Sequence, residues 1–106
     1  MKIYGIGTCD SCRLARKRYP DARFIDVRAD GLSHEILLRA FGTFGSKLLN
    51  TRSKTWQSLP ESDRIDEPIE LIQMHPLLMK RPLIEHDGEL FLGWTNDVQA
   101  ALERAT

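Results

Sequence analysis

The chain has 106 residues, 42% hydrophobic and 28% charged, with fifteen basic and fifteen acidic side chains. That length suits one domain, 1–106, with a modest core, and the balanced charge speaks against direct nucleic-acid binding, which ordinarily needs a basic excess. No apolar run nears the ~18–20 residues of a membrane span, and Met1-Lys2-Ile3-Tyr4-Gly5-Ile6-Gly7 is too short and glycine-broken for a signal peptide. The expected location is therefore cytoplasmic, with no membrane partner.

Lys2 to Ile6 reads as a first strand, ended by Gly7. Thr8 to Asp10 offer capping side chains for a helix from Cys12 to Tyr19, with Cys12, Ala15 and Tyr19 on one face. Pro20 and Asp21 stop it. Arg23-Phe24-Ile25-Asp26-Val27 reads as a second strand, and its place after a helix predicts a βαβ unit with parallel pairing. Ser33 caps a second helix with a stripe of Leu32, Ile36, Leu37, Ala40, Phe41 and Phe44, ended by Gly42 and Gly45. Residues 46–66 read as polar and irregular, anchored by Leu48, Leu49, Trp56 and Leu59.

Asp66-Glu67-Pro68 opens a third helix, with Pro68 in its first turn. It buries Ile69, Leu71, Ile72 and Met74, and His75-Pro76 breaks it before a further turn at Leu77-Leu78-Met79. Pro82–His86 and Glu89–Leu92 flank Asp87-Gly88, a hairpin signal. Thr95 or Asn96 caps a last helix with Val98, Ala101, Leu102 and Ala105 inward. The order is βαβ, a helical insertion, then ββα, an α/β class. It is the thioredoxin-like order, with a four-stranded mixed sheet expected.

The only cysteines, Cys9 and Cys12, stand where the first strand hands over to a helix. In a reducing compartment such a pair points to redox or metal chemistry rather than a structural staple. A thiolate is the nucleophile, and unpaired N–H groups with the dipole at a helix N-terminus favour the anion. Arg13, Arg16 and Lys17 add positive charge. Cys9 gains most, and Cys12, in the first turn, is within disulfide reach. A pair of buried, inert cysteines is the blander reading, and this junction argues against it. Zinc is not expected, because His34, His75 and His86 lack finger spacing.

Arg52 and Arg81 are the candidate anion-binding arginines, since a guanidinium fork suits oxyanions and carboxylates. For either one alone, a solvated surface role is the commoner outcome. Trp56 and Trp94 read as packing residues and His75 as a helix-end residue. The basic run Arg13, Arg16, Lys17 and Arg18 reads as a solvated helix face.

Tyr4-Gly5-Ile6 before Cys9-Asp10-Ser11-Cys12-Arg13, then Leu49-Asn50-Thr51-Arg52, Lys80-Arg81-Pro82-Leu83 and Leu92-Gly93-Trp94 together resemble the arsenate-reductase-like ArsC/Spx family, nearest to its YffB-like subgroup. The resemblance covers nearly the whole chain in order. It implies a cis proline at Pro82 facing the cysteine, a nucleophilic Cys9, and anion-binding roles for Arg52 and Arg81. With Cys12, Arg13 and Pro82 these make up the expected catalytic and substrate-binding set. The resemblance also implies an oxidoreductase with no bound cofactor, glutathione as co-substrate, a small thiol or oxyanion as substrate, and glutaredoxin as a partner. Family arsenate reductases carry a further arginine after the last hairpin. Here that stretch reads Phe91-Leu92-Gly93-Trp94, which weakens arsenate as substrate. Cys12 is a second departure, matched by Spx regulators, whose C-x-x-C pair is a redox switch in proteins that bind the RNA polymerase α subunit. The leading expectation is a glutathione-linked thiol-disulfide reductase. A redox-sensing Spx-like regulator and an arsenate reductase are the alternatives.

Overall fold

The computed structural model describes residues 1–106. The chain forms two compact units, one from residues 1–27 and 81–106 and the other from residues 28–80.

The first unit holds strands β1 (Lys2–Gly5), β2 (Arg23–Asp26), β3 (Leu83–His86) and β4 (Glu89–Leu92), with helices α1 (Asp10–Arg18) and α6 (Asn96–Ala105). The sheet order is β2-β1-β3-β4. β1 pairs parallel with β2 and antiparallel with β3, and β3 pairs antiparallel with β4. Phe24, Ile3, Ile84 and Phe91 form one row across all four strands. On that row pack Ala15 of α1 and Leu102 of α6, with Tyr19, Trp94, Val98 and Ala101 around them. The next positions, Tyr4 and Leu83, point to the opposite face and are also buried. Each fully buried aliphatic side chain contributes about 1.5–3 kcal/mol, so this row and its helices account for much of the unit's stability.

Local chemistry fixes the ends. Asp87 and Gly88 both have positive φ, 50° and 80°, as the tight turn between twisted antiparallel strands requires. The Thr95 hydroxyl accepts from the Val98 N–H and starts α6. Cys9, in extended conformation, rather than Thr8 or Asp10, occupies the N-cap of α1. The Cys9 N–H bonds Ile6 O at 3.2 Å, and the Arg13 N–H then bonds Cys9 O at 3.0 Å. The turn after β1 thus starts the helix two residues earlier than the apolar spacing predicts. Ala105, placed inward by that spacing, is exposed at the frayed end of α6.

The second unit contains α3 (His34–Phe44), α4 (Lys54–Ser58) and α5 (Pro68–Met74), with 3-10 turns at Gly45–Leu48 and Pro76–Leu78. A short helix α2 (Val27–Asp30) follows β2, which ends at Asp26, one residue before the expected Val27. Ser33 caps α3 through the Ile36 N–H, and Ile36, Leu37 and Ala40 are its buried face. Gly42 lies within α3, and only Gly45 ends it. An interior glycine costs about 1 kcal/mol, which a helix with three buried anchors withstands. The stretch 46–66 is not structureless. The Ser53 hydroxyl accepts from the Trp56 N–H at 3.1 Å and caps α4, a helix too short for apolar periodicity to reveal. Met74 is 68% exposed rather than buried, because Leu71 and Ile72 define the inward side of α5. No helix is long and apolar enough to cross a membrane.

At Gly5, β1 lies close against Cys12 of α1. A Cβ there would stand 2.3 Å from Cys12 Sγ and 3.2 Å from Cys12 Cβ. Cys12 is fully buried and has nowhere to retreat. Gly5→Ala is expected to cost about 1–3 kcal/mol, the usual range for overpacking. Urea denaturation checks this, and the Gly5→Ala/Cys12→Ala pair should recover part of the loss. A neutral Gly5→Ala would show that the helix can move away.

Candidate active site

The sheet brings together Cys9, Cys12 and Arg81, all in the first unit. β1 runs to Gly5, turns through Gly7 and Thr8, and presents Cys9 at the head of α1. β3 pairs Leu83 with Tyr4. Continuing that antiparallel register sets Pro82 and Arg81 beside Gly5 and Ile6, next to the turn that carries Cys9. The Arg81–Pro82 peptide is cis, as the resemblance implies. Pro82 is fully buried, and its carbonyl accepts from the Gly93 N–H at 2.8 Å. The strand register, rather than proximity in sequence, delivers the arginine to the cysteine.

The two sulfurs differ sharply. Cys9 is partly exposed and Cys12 is sealed. Burial pushes the Cys9 thiol up from the ordinary 9.0, but four favourable influences outweigh it. These are the Cys12 backbone N–H, the Cys12 thiol, the hydrogen bond from Arg81 and the Arg81 charge, and Cys9 ends below 9.0. The Cys12 N–H is the third of the helix. The neutral thiol closes no side-chain cap bond, so this contact is one that ionisation strengthens. Cys12 is pushed up to about 12, first by burial. The Ile6 N–H draws it down, the neighbouring Cys9 sulfur pushes it up by hydrogen bond and charge, and Arg81 pulls it back slightly. The geometry therefore favours the anion on the outer sulfur and disfavours it on the inner one.

The Arg13 guanidinium hydrogen-bonds Asp10 on the exposed face of α1, so its charge is largely spent locally. Arg52 belongs to the second unit. There the Asn50 side-chain carbonyl accepts from the Arg52 N–H at 3.2 Å, and Asn50 N–H bonds Leu78 O at 2.7 Å. Leu49 pairs with Met79 as an isolated bridge. Arg52, Thr51, Asn50 and Lys80 line a cleft of about 330 Å³. Two cations around polar groups suit an anion. Lys80 joins this cleft from the residue before Arg81, and no local motif marks it as a functional cation. No three His, Cys, Asp or Glu side chains gather into one cluster.

The fold is thioredoxin-like, with a partly exposed cysteine at the head of its first helix. A profile of the ArsC family matches residues 4–102, and the chain belongs to that family. Among its relatives, an uncharacterized protein of Haemophilus influenzae is 35% identical, over 93% of this chain and 96% of that protein. The global transcriptional regulator Spx of Streptococcus pyogenes is 32% identical, over 92% of this chain and 81% of the regulator. The solved structure of a YffB protein superposes with a TM-score of 0.84 at 31% identity, covering 94% of this chain and 96% of the other.

The asymmetry between the sulfurs has a direct readout. Iodoacetamide should label Cys9 alone in the native protein at neutral pH, with a midpoint below 9.0 in its pH–rate profile. Arg81→Gln should move that midpoint up, because the cation favours the anion. Equal labelling of both cysteines, or a midpoint indifferent to Arg81, would contradict the geometry.

Proposed function

We propose that this chain is a glutathione-linked thiol-disulfide reductase of the ArsC family, working in the reducing cytoplasm, with Cys9 as nucleophile. The observation that carries the reading is the partly exposed Cys9 sulfur at the head of α1, with the Cys12 N–H and Arg81 favouring its anion. The Cys9 thiolate attacks one sulfur of a disulfide. A new S–S bond forms, the old one breaks, and the displaced half leaves as a thiolate. Glutathione then attacks the substrate sulfur of the mixed disulfide, Cys9 leaves as a thiolate, and the substrate half is bonded to glutathione. A second glutathione attacks the glutathione sulfur of that bond and releases the second substrate thiol with oxidised glutathione. Where Cys12 resolves instead, the second substrate thiol leaves at once and two glutathiones reduce the Cys9–Cys12 disulfide in the same two exchanges.

Glutathione is the better second thiol. A free thiol near pKa ~8.5 is a few per cent ionised at neutral pH, whereas Cys12 at about 12 is almost wholly protonated. The part of that rise owed to the Cys9 charge vanishes once Cys9 is bonded, but burial, the larger part, remains. Cys12 is thus assigned mainly to support the Cys9 thiolate, through its N–H and S–H. Arg81 is assigned to stabilise that anion. Arg52, by the family pattern, is assigned to hold an anionic group, and its cleft with Lys80 carries the charge for it. Arg13, Pro82 and a glutaredoxin partner enter on the family pattern alone.

Cys12→Ser incubated with oxidised glutathione should give one glutathione adduct on Cys9 by mass spectrometry, and turnover should persist at a reduced rate. Absence of the adduct overturns the reading. Supplying arsenate with glutathione and glutaredoxin tests the oxyanion alternative. The missing arginine between Phe91 and Trp94 leads us to expect little activity.

The C-x-x-C pair and the likeness to Spx favour one second reading, a redox-sensing regulator that binds the RNA polymerase α subunit. A pull-down with the α C-terminal domain, oxidised against reduced, decides it. Capture dependent on the oxidation state supports it, and no capture in either state removes it.

A further inference from the structure

α4 is held by its two ends. It has five residues and buries none of its side chains, and a helix of about one turn does not persist on its own hydrogen bonds. At its start, the Ser53 hydroxyl accepts from the Trp56 N–H at 3.1 Å and donates to the Asn50 carbonyl at 2.8 Å. At its end, the half-buried Arg64 reaches back from the loop that follows. Its Nε donates to the Trp56 carbonyl at 3.3 Å and its Nη2 to the Gln57 carbonyl at 3.1 Å. The guanidinium carbon lies 5.5 Å from the centroid of the Trp56 ring. The last carbonyls of a helix lack partners within it, and here the Leu59 N–H shares only the first of these two, at 3.1 Å. The loop is folded for the task. The Asp63 N–H bonds Pro60 O at 2.9 Å and the Arg64 N–H bonds Glu61 O at 3.2 Å.

The start of α4 is continuous with the cleft of Arg52 and Lys80. Asn50 accepts from the Ser53 hydroxyl with its carbonyl and from the Arg52 N–H, at 3.2 Å, with its side-chain oxygen. Its own N–H bonds Leu78 O at 2.7 Å. Asn50 and Arg52 both line the cleft, and Arg52 directly precedes the cap residue Ser53. A swing of α4 about its start therefore carries the Arg52 backbone with it.

We propose that Arg64 is a positioning residue for this cleft: it holds the end of α4 and, through Ser53 and Asn50, fixes the backbone from which the Arg52 side chain reaches. The inference rests on the anion-holding role assigned to Arg52 above. A planar guanidinium fork serves two neighbouring carbonyls and faces an aromatic ring at once, which a lysine ammonium does not. A small displacement of a group that pairs with an anion is enough to lose much of the interaction.

The test uses two readouts. One is hydrogen exchange at the Arg52 amide. The other is binding of S-methylglutathione, an anionic thioether that cannot react with Cys9, followed at the Thr51 and Arg52 amide signals. Arg64→Gln should speed the exchange and weaken binding about three- to tenfold. Arg64→Lys should give a smaller loss. In an Arg52→Gln background Arg64→Gln should bring no further loss of binding, because residues acting on one contact are not additive. Ser53→Ala breaks the same path without touching Arg64 and should repeat both effects, and it decides the matter should Arg64→Gln fold poorly. Either readout unchanged, or an equal loss of binding with and without the Arg52 side chain, overturns the inference. A wild type that does not bind, or Arg52→Gln that binds as well as wild type, removes the anion-holding reading and the inference with it. Loss in Arg52→Gln without loss in Arg64→Gln overturns the inference alone.

Discussion

The chemistry of this protein depends on a backbone N–H in the first turn of α1 and a guanidinium from across the sheet, both acting on the Cys9 sulfur. Burial is the largest single influence on that sulfur, and these contacts, with the Cys12 thiol, together outweigh it. An exposed cysteine would be solvated without help, and a sealed one would stay protonated, as Cys12 does. The N-cap position is the compromise: enough water to admit a substrate, enough fixed positive potential to hold a charge. The β1–β3 register makes it possible, because it sets Arg81 and Pro82 beside the end of β1.

Packing and reactivity are tied at one point. Gly5 lacks a side chain where Cys12 fills the space between strand and helix. The sulfur of Cys12 is therefore a core atom, one residue type doing the work of a small hydrophobe. Its backbone N–H favours the Cys9 anion, so Cys12 fills the strand–helix contact with its side chain and serves the outer sulfur with its backbone.

Much of the scaffold was legible in the chain. Short β-branched strands, the Asp87-Gly88 turn and the Ser33 and Thr95 caps are local signals, and each recurs in the structure where it was read. The misplacements are local too. Cys9 takes a cap position usually held by oxygen-bearing residues, so propensity pointed to its neighbours. α4 is only one turn and a fraction, below the length at which periodicity speaks. Met74 follows an apolar spacing that its neighbours Leu71 and Ile72 had already satisfied.

The amino-acid order by itself determined the elements, their succession and the placing of a cysteine where a strand meets a helix, because capping, turn chemistry and hydrophobic period act over a few residues. The three-dimensional packing alone decided which sulfur favours the anion and which arginine reaches it. Those outcomes depend on burial and on through-space potential, and both are set by residues far apart in the chain. Arg81 stands 72 positions from Cys9, and no local rule connects them. Arg16 likewise meets the Phe24 ring only when a helix is laid against a strand.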